Sequence, residues 1–553
     1  MRTRIVINRW IKFLVAAVLI VVTGILILNA VISQRISRQL QSLSSAIKIN
    51  YSSVHSNLLT ASVTFKDLEI IFTPYENLPA SRHTLHFSHA SLNGINFFKL
   101  LISKKFVVGS LRLEKGNIIM DKFLLDEKDS AQAEIFAQIK MPFNSIGIDH
   151  LEINTIRARL NNDTLGPSLI TGDLAIYEIK IDKPDASAGK SQFRFAAIDC
   201  NLSDINYSLP DSAIVLHIRR LVMDSRKGDL HLDSLQIGHG SNRGKHSIEA
   251  NIPFLQVTKA DLMNLFQSRL VAEKLFIPEG EIKVNNPEKL FSGDTRFPAS
   301  LQLKSLQADH LSLIYNDGDQ KLSCKAAIHV DEGKANISKD SFSYATIKCN
   351  LSELRYFNNN SHHTLAINKL DLDSEKEIIR INDLKLIPQY GKYEFGGKLG
   401  HQADRVEATI PEIEIVKPDI SRLFQDKLVA EKILIRESRA YIFRDRRLPM
   451  VQKNIPLPVA YLKTIPVDIR VNTCMLAASV VEYEEYPKEG FEKTGVLRIE
   501  KINATISPLI NHPVGKDPDH ITMSVNGSIM GSGTVHGTII MPFRSNQPYH
   551  ITG

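Results

Sequence analysis

The sequence predicts a mainly β protein that is held to a membrane by one helix near its N-terminus. Three observations carry this prediction. A 20-residue apolar run lies close to the start of the chain, at residues 13–32. After Ile49, apolar and polar residues alternate with the period of two that is typical of strands. A long segment also returns 158 residues downstream, which indicates an internal duplication.

The apolar run from Phe13 to Ile32 is long enough to cross a bilayer, because 20 residues at about 1.5 Å each match a hydrocarbon core of about 30 Å. A polar segment follows the run, without a small-residue cleavage site, so an uncleaved anchor is favoured over a signal peptide. The basic residues before the run are Arg2, Arg4, Arg9 and Lys12. They predict a cytoplasmic segment at 1–12 and place the rest of the chain on the far side of the membrane. Apolar residues then recur every three or four positions, which predicts an amphipathic helix over 33–47.

Composition limits the functions that the chain can have. The protein has 43% hydrophobic and 23% charged residues, which is typical of a folded chain, and its net charge of +7 is spread over 553 residues. Such a diffuse excess does not predict a nucleic-acid partner. The four cysteines are Cys200, Cys324, Cys349 and Cys474. They form no CxxC pair, so zinc and redox signatures are absent, and small buried hydrophobic residues are favoured over two disulfides.

The alternating segments predict strands of about five to seven residues, joined by turns. Leu111 and Leu113 flank an arginine, and Leu497 and Ile499 flank another, in the pattern of an amphipathic strand. Turns are expected at 115–117, 161–163, 316–319 and 391. Alternation alone does not separate an extended sheet from a sandwich, but the repetition favours an extended antiparallel sheet.

Two copies of one unit are visible in the sequence. The first contains IPFLQVTKADLMNLFQSRLVAEKLFIPEGEIKV from Ile252, and the second contains IPEIEIVKPDISRLFQDKLVAEKILIRESRAYI from Ile410. Each copy predicts a short helix, near 261–267 and 419–425, that follows an aspartate suited to capping. A strand, a turn at 278–280 or 436–438 and a second strand should follow. A fainter copy, FFKLLISKKFVVGSLRLEKGNI, begins at Phe97.

These patterns divide the chain into regions. After the anchor and the amphipathic helix, we expect a first β unit at 48–144, repeat unit A at 145–284, repeat unit B at 305–443 and a C-terminal β unit at 444–553. The strand pattern of the last unit stops at Gly553, so this unit is expected to be truncated.

Catalytic and metal-binding patterns are weak. The histidines His83, His86 and His89 would not share one face of a strand, so a metal site is not predicted. The pairs 149–150 and 309–310, each Asp followed by His, and the acidic residues 482, 484 and 485 are interpreted as ordinary strand residues. We predict no cofactor and no enzymatic activity. A polysaccharide-active enzyme would need paired carboxylates across a cleft, and nothing in the sequence places such a pair.

The chain resembles the AsmA-like proteins of Gram-negative envelopes, which are related to TamB-like and bridge-like lipid-transfer proteins. The resemblance rests on the basic start and single anchor, on IKINYSSVHSNLLTASVTFKDLEIIF, and on repeated units such as KLLISKKFVVGSLRLEKGNI. Near the C-terminus, VEYEEYPKEGFEKTGVLRIEKINATIS looks like a domain of unknown function found within AsmA-like chains. The resemblance implies an elongated, twisted antiparallel sheet curled into a gutter, with an apolar inner wall that holds lipid acyl chains. It also implies an inner-membrane protein with a periplasmic bulk that serves outer-membrane biogenesis.

Two functions follow as hypotheses. In the first, phospholipid slides along the gutter between membranes, in contact with residues at equivalent steps of the repeat. These lipid-contacting candidates are Leu111, Leu113, Leu275, Ile277, Ile433 and Ile435. In the second, the protein is a structural or assembly factor whose exposed strand edges bind envelope proteins by β-augmentation. A lipid conduit needs an open apolar stripe, whereas a scaffold can have a closed core.

Overall fold

The computed structural model describes most of the chain after residue 46. The described ranges are 47–57, 60–72, 83–121, 144–161, 168–182, 192–208, 214–239, 247–265, 269–286, 300–336, 341–359, 361–450, 457–489, 493–544 and 547–553. The predicted cytoplasmic segment, the anchor and all but the last residue of the predicted amphipathic helix lie outside these ranges, and Ile47 begins the first strand. Within the described ranges, no helix is both long enough and apolar enough to cross a membrane.

The described residues form 28 strands, all in one mixed sheet, and five short helices, so the mainly β prediction is confirmed. The first fourteen strands are β1 (Ile47–Asn50), β2 (Ser53–Asn57), β3 (Ser62–Phe72), β4 (His83–Ile95), β5 (Lys105–Asp121), β6 (Ser145–Asn161), β7 (Ser168–Asp182), β8 (Gln192–Arg194), β9 (Ala197–Ser208), β10 (Ile214–Asp224), β11 (Asp229–His239), β12 (Ser247–Thr258), β13 (Arg269–Asn285) and β14 (Ser300–Asn316). The others are β15 (Gln320–Asn336), β16 (Ser341–Ser343), β17 (Thr346–Asn358), β18 (His363–Asp373), β19 (Ile378–Pro388), β20 (Arg405–Val416), β21 (Lys427–Arg436), β22 (Arg439–Asp445), β23 (Asp468–Tyr486), β24 (Gly495–Ser507), β25 (Leu509–Ile510), β26 (His520–Ile529), β27 (Gly533–Pro542) and β28 (His550–Thr552). The helices are α1 (Phe97–Ser103), α2 (Leu262–Leu265), α3 (Glu394–Leu399), α4 (Ile420–Leu423) and α5 (Pro458–Leu462).

The chain divides into two compact units. The first contains residues 1–280, 288–304 and 335–340, and the second contains 281–287, 305–334 and 341–553. In the first unit, β3 pairs with β1 and β2 on one side and with β4 on the other. The pairing then runs in the order β4, β5, β6, β7, β9, β10, β11 and β12.

In the second unit, the pairing runs from β15 through β17, β18 and β19 to β20. Strands β21 and β22 lie end to end between β20 and β23. From β23 the order continues through β24, β26 and β27 to β28, with β25 also paired to β23.

The prediction of an antiparallel sheet is wrong at three of the strand pairs whose register the structure describes. Strand β5 is parallel to β6, and both β21 and β22 are parallel to β23. Parallel neighbours need a crossover of a dozen or more residues, and the connections at 122–144 and 446–467 are long enough. Alternation looks the same in both directions, so the sequence pattern could not reveal this difference.

Strands are also longer than expected, because two expected turns lie within strands. Residues 115–117 lie inside β5, and residues 278–280 lie inside β13, and each of these strands contains 17 residues. Lys115 has a φ of 51°, the left-handed conformation that a turn would also need. At Lys115, an irregular position within a strand therefore has the same sequence signature as a turn. The turn at 316–319, by contrast, does connect β14 to β15.

The duplication is visible in the structure. Strands β8 to β12 and helix α2 have counterparts in β16 to β20 and helix α4, in the same order. Both helices lie at the expected positions, although each described helix has only four residues. Asp419 caps α4 by accepting a hydrogen bond from the Arg422 backbone N–H at 3.2 Å. The expected turn at 436–438 is wrong, since β22 continues along the line of β21.

Candidate functional site: an apolar face along the sheet

Bulges keep the apolar residues of each strand on one face. In β9, Ile198, Cys200 and Leu202 alternate, but the next apolar residue, Ile205, comes three positions later. Asp204, with a φ of 51°, shifts the alternation by one residue, so Ile205 returns to the apolar face and pairs with Ile218 of β10. The duplicated strand β17 has the same device at Glu353, whose φ is 53°.

In the second unit, strand pairing aligns the apolar residues into continuous rows. One row takes one residue from each of eleven strands: Ile328, Cys349, Leu372, Ile379, Ile415, Ile433, Cys474, Ile506, Met523, Ile539 and Ile551. A second row beside it contains Ala326, Leu351, Leu370, Ile381, Ile413, Ile435, Leu476, Ala504 and Val525. At about 4.8 Å per strand, eleven strands extend the first row over about 48 Å.

The first unit has a comparable row from β3 to β12. Its members are Phe65, Ala90, Leu113, Ile153, Leu174, Cys200, Met223, Leu230 and Val257. Each unit therefore carries an uninterrupted apolar strip that runs across its strands.

The opposite face of the second unit is polar. Asn350 donates a hydrogen bond to Asp371 on the neighbouring strand at 2.5 Å, and Arg380 donates to Glu414 at 3.3 Å. Lys325 forms an ion pair with Glu353 at 2.6 Å. The sheet is thus amphipathic, with charged pairs on one face and aliphatic residues on the other.

Exposure differs along the apolar face. In β3 to β6, the apolar side chains belong to a closed core in which Leu92, Leu111 and Leu151 are 0% exposed. In β17 to β20, the most buried apolar side chain, Ile379, retains 5% exposure, and most others are only half-buried. The half-buried group includes Leu351, Leu370, Ile381, Leu384, Leu386 and Ile413. This open stretch is the candidate functional site.

The six lipid-contacting candidates fall into different environments. Leu111 and Leu113 are fully buried in the closed core, so they have no surface to offer a ligand. Ile433 and Ile435 lie in the two rows of the second unit, where Ile433 is 8% exposed and Ile435 is half-buried. The pair in β13, residues 275 and 277, is half-buried.

The acidic residues 482, 484 and 485 do not form a metal site in the described structure. Glu484 accepts hydrogen bonds from Lys392 at 2.6 Å and from Tyr441. Burial acts to raise the pKa of Glu484, but hydrogen bonds from Lys392, Thr494 and Tyr441 outweigh it and hold the pKa below its ordinary value. This cluster fastens the segment before α3 to β22 and β23, on the face opposite the apolar rows.

The other candidates from the sequence also lie in structural surroundings. His83 is fully buried, and His150 stacks on Tyr177 with ring centroids 4.8 Å apart. Across the described ranges, no group of three or more His, Cys, Asp or Glu side chains is placed to hold a metal ion.

The cysteines are free thiols in the described structure. Cys200, Cys324 and Cys474 are buried, and Cys349 is half-buried. Burial raises the pKa of Cys200 to about 12 and that of Cys349 to about 11, so both thiols stay protonated at neutral pH. As expected, they behave as small hydrophobic residues, and three of them lie in the apolar rows.

A cleft of about 400 Å³ in the second unit is polar and does not continue the apolar face. Two ion pairs line it, Lys417 with Glu431 at 2.8 Å and Arg470 with Asp517 at 2.7 Å. Its charges are therefore already neutralised within the protein.

Sequence reasoning missed most of the open rows. It selected Ile433 and Ile435 but not their neighbours Ile413, Ile381 or Leu370, because the register between paired strands is not encoded in any local pattern. One usable signal was the slip in alternation at Asp204 and Glu353, which marks a bulge and shows that the apolar residues on both sides share a face.

Comparison with known proteins adds no identification. No family model matches this sequence, and no curated protein matches it.

Proposed function

We propose that this protein binds phospholipid acyl chains along the open apolar face and conducts them between membranes, without covalent chemistry. The observation that carries the proposal is the pair of apolar rows in the second unit, of which the second row stays half-buried over β17 to β20. The proposal includes the AsmA-like arrangement that the sequence suggests: an inner-membrane anchor, a periplasmic bulk, and a sheet curled into a gutter.

Physical chemistry favours acyl chains as the ligand of such a face. Each methylene group that leaves water gains roughly 0.8 kcal/mol, and the half-buried side chains gain as well when a chain covers them. The rows contain aliphatic side chains and cysteine but no charge, so they offer no hydrogen bond that would fix a ligand in one place. A ligand held only by nondirectional contacts can slide along the row.

Exposure selects among the six candidates. Ile435, Leu275 and Ile277 are half-buried and are proposed to contact lipid, together with Ile381 and Ile413. Leu111 and Leu113 are assigned to the closed core instead, because they have almost no accessible surface.

Site-specific photocrosslinking in the full chain tests the proposal. A benzophenone amino acid at position 381 or 413 should crosslink to phospholipid in intact cells, which mass spectrometry of the purified protein would detect. The matched control is position 380, the next residue in β19, whose side chain is exposed on the polar face. Equal lipid labelling at 380 and 381, or none at either, would contradict the proposal.

The same experiment addresses the assembly-factor hypothesis. If positions 381 and 413 crosslink to other envelope proteins and not to lipid, the open face is a protein-binding surface. Position 111 serves as a second control, since a residue in a closed core should crosslink only within the chain.

A further inference from the structure

Helix α1 presents two large apolar side chains to solvent. Phe98 is 74% exposed and Ile102 is 68% exposed, and their spacing of four residues places them on the same side of the helix. The helix is anchored at both ends. The Asn96 side chain accepts a hydrogen bond from the Lys99 backbone N–H at 3.0 Å, and Lys104 ends the helix in the left-handed conformation, with a φ of 50°.

The repeat shows how α1 differs from its counterparts. The Asn96 backbone N–H donates to the Val107 carbonyl, as those of Asp261 and Asp419 donate to Val271 and Val429, so Asn96 corresponds to the residues that begin α2 and α4. Counted from Asp419, the residue of α4 that corresponds to Phe98 is Ser421. The exposed aromatic residue of α4, Phe424, contacts Phe342 with ring centroids 5.4 Å apart. Helix α4 therefore lacks the pair of exposed apolar side chains that α1 presents.

Charge also separates α1 from its counterparts. Residues 96–105 contain three basic residues, Lys99, Lys104 and Lys105, and no acidic residue, and all three lysines are exposed. The equivalent stretches around α2 and α4, residues 261–270 and 419–428, contain as many acidic as basic residues. A short helix with exposed apolar residues and an excess of lysine is suited to the interface of an anionic bilayer. The apolar side chains can contact acyl chains there, and the lysines can contact the anionic headgroups.

We propose that α1 docks on the surface of a lipid bilayer that contains anionic lipids. Phe98 and Ile102 enter the boundary between headgroups and acyl chains, and Lys99, Lys104 and Lys105 contact the anionic headgroups. A seven-residue helix binds weakly by itself, so docking requires a tether that keeps it near the membrane. The apolar run at 13–32 is the segment of this chain suited to that task. The docking does not depend on whether acyl chains move along the apolar face.

Fluorescence of the full chain in lipid nanodiscs tests this proposal. An environment-sensitive dye on Ile102→Cys should shift to the blue and be quenched by lipids that carry a nitroxide near the headgroup. The four native cysteines are buried or half-buried, and the parent chain without the added cysteine measures their background labelling. We expect at least about twofold stronger quenching with phosphatidylglycerol present than with phosphatidylcholine alone, and a loss of this difference at high salt.

Two control positions distinguish docking from mere tethering. Position 117 is exposed in the strand that follows α1 and is tested as Asn117→Cys, and position 424 is exposed at the end of α4 and is tested as Phe424→Cys. Neither should be quenched as strongly as position 102. Equal quenching at positions 102 and 117 would overturn the proposal. So would quenching at position 102 that is the same with and without phosphatidylglycerol.

Charge reversal completes the test. The triple variant Lys99→Glu, Lys104→Glu and Lys105→Glu should lose the quenching in anionic discs while circular dichroism stays that of the parent. If this variant does not fold, Phe98→Ser, which keeps the lysines, should reduce quenching at 102, and unchanged quenching would overturn the role of the apolar pair. Crosslinking at 381 is unaffected by either result, so the two proposals can fail separately.

Discussion

Strands β3 to β6 and strands β17 to β20 place their apolar residues on one face by the same alternation and by the same kind of bulge. The first region closes this face into a core, where Leu92 and Leu111 are 0% exposed. The second leaves it half-open, and even Ile379 retains 5% exposure. The pattern of a strand therefore determines which face is apolar, whereas the surroundings determine whether that face becomes a core or a surface.

Inserting a charge should separate the two regions most strongly. Leu111→Asp places a carboxylate in the closed core and should cost at least about 4 kcal/mol, enough to unfold its surroundings. Ile381→Asp lies on the half-open face, where water can reach the charge, and should cost only about 1 to 2 kcal/mol. Proteolysis of the full chain in increasing denaturant, with the cleavage sites read by mass spectrometry, measures both. Similar costs would mean that the face at β19 is closed in solution.

Adding a methyl group should also distinguish closed from open packing. A Cβ atom on Gly116 of β5 would lie 2.9 Å from Cε1 of Phe87, so Gly116→Ala should destabilise the first unit by roughly 1 to 3 kcal/mol. A Cβ atom on Gly238 of β11 would meet nothing within 4 Å, and Gly238→Ala should be nearly neutral or stabilising. The same denaturation assay applies. An unchanged free energy of unfolding for Gly116→Ala would show that the Phe87 side chain can shift to accept the methyl group.

The polar face behind the open rows should make the second unit sensitive to acid. The pKa of Glu484 lies below its ordinary value of 4.5 in the folded protein, so its hydrogen bonds stabilise the fold above that pH and are lost as the pH falls through the folded pKa. Glu484→Gln should remove this dependence and cost about 1.5 kcal/mol at neutral pH, a typical value for hydrogen bonds to a charged group. Thermal unfolding of parent and variant from pH 7 to pH 3 measures it. If the unfolding temperatures of the two proteins change with pH in the same way, Glu484 does not cause the acid sensitivity.

The bulges should give a smaller effect that is equal in both regions. Lys115 in the closed region has a φ of 51°, and Glu353 in β17 of the open region has a φ of 53°; both conformations are unfavourable for β-branched side chains. Replacing either residue by valine should cost about 1 kcal/mol, and replacing either by glycine should not. Because the penalty is local to the backbone, burial should not change it. A much larger cost at Lys115 would show that the bulge and the core are coupled.

Much of the fold could be read from the chain. Alternation predicted the β class, and the duplication predicted helices α2 and α4 at their observed places, because both signals are local and repeat along the sequence. The turns expected at 115–117 and 278–280 lie within β5 and β13, and at Lys115 the left-handed backbone conformation that a turn would need occurs inside a strand. The parallel pairs were also missed, because strand direction depends on crossovers that the alternation does not record.

The candidate site was only partly predictable for a related reason. Ile433 and Ile435 were selected because the repeat marks their positions, but the rows that contain them also join strands that are not consecutive in the chain, such as Ile433 with Cys474 and Ile435 with Leu476. The equivalent positions Leu111 and Leu113 carry the same pattern and lie in a closed core. The sequence by itself determined which residues share a face, because side-chain direction follows from backbone period and bulges. Only the tertiary structure decided how much of that face stays open, because burial depends on every element that packs against it.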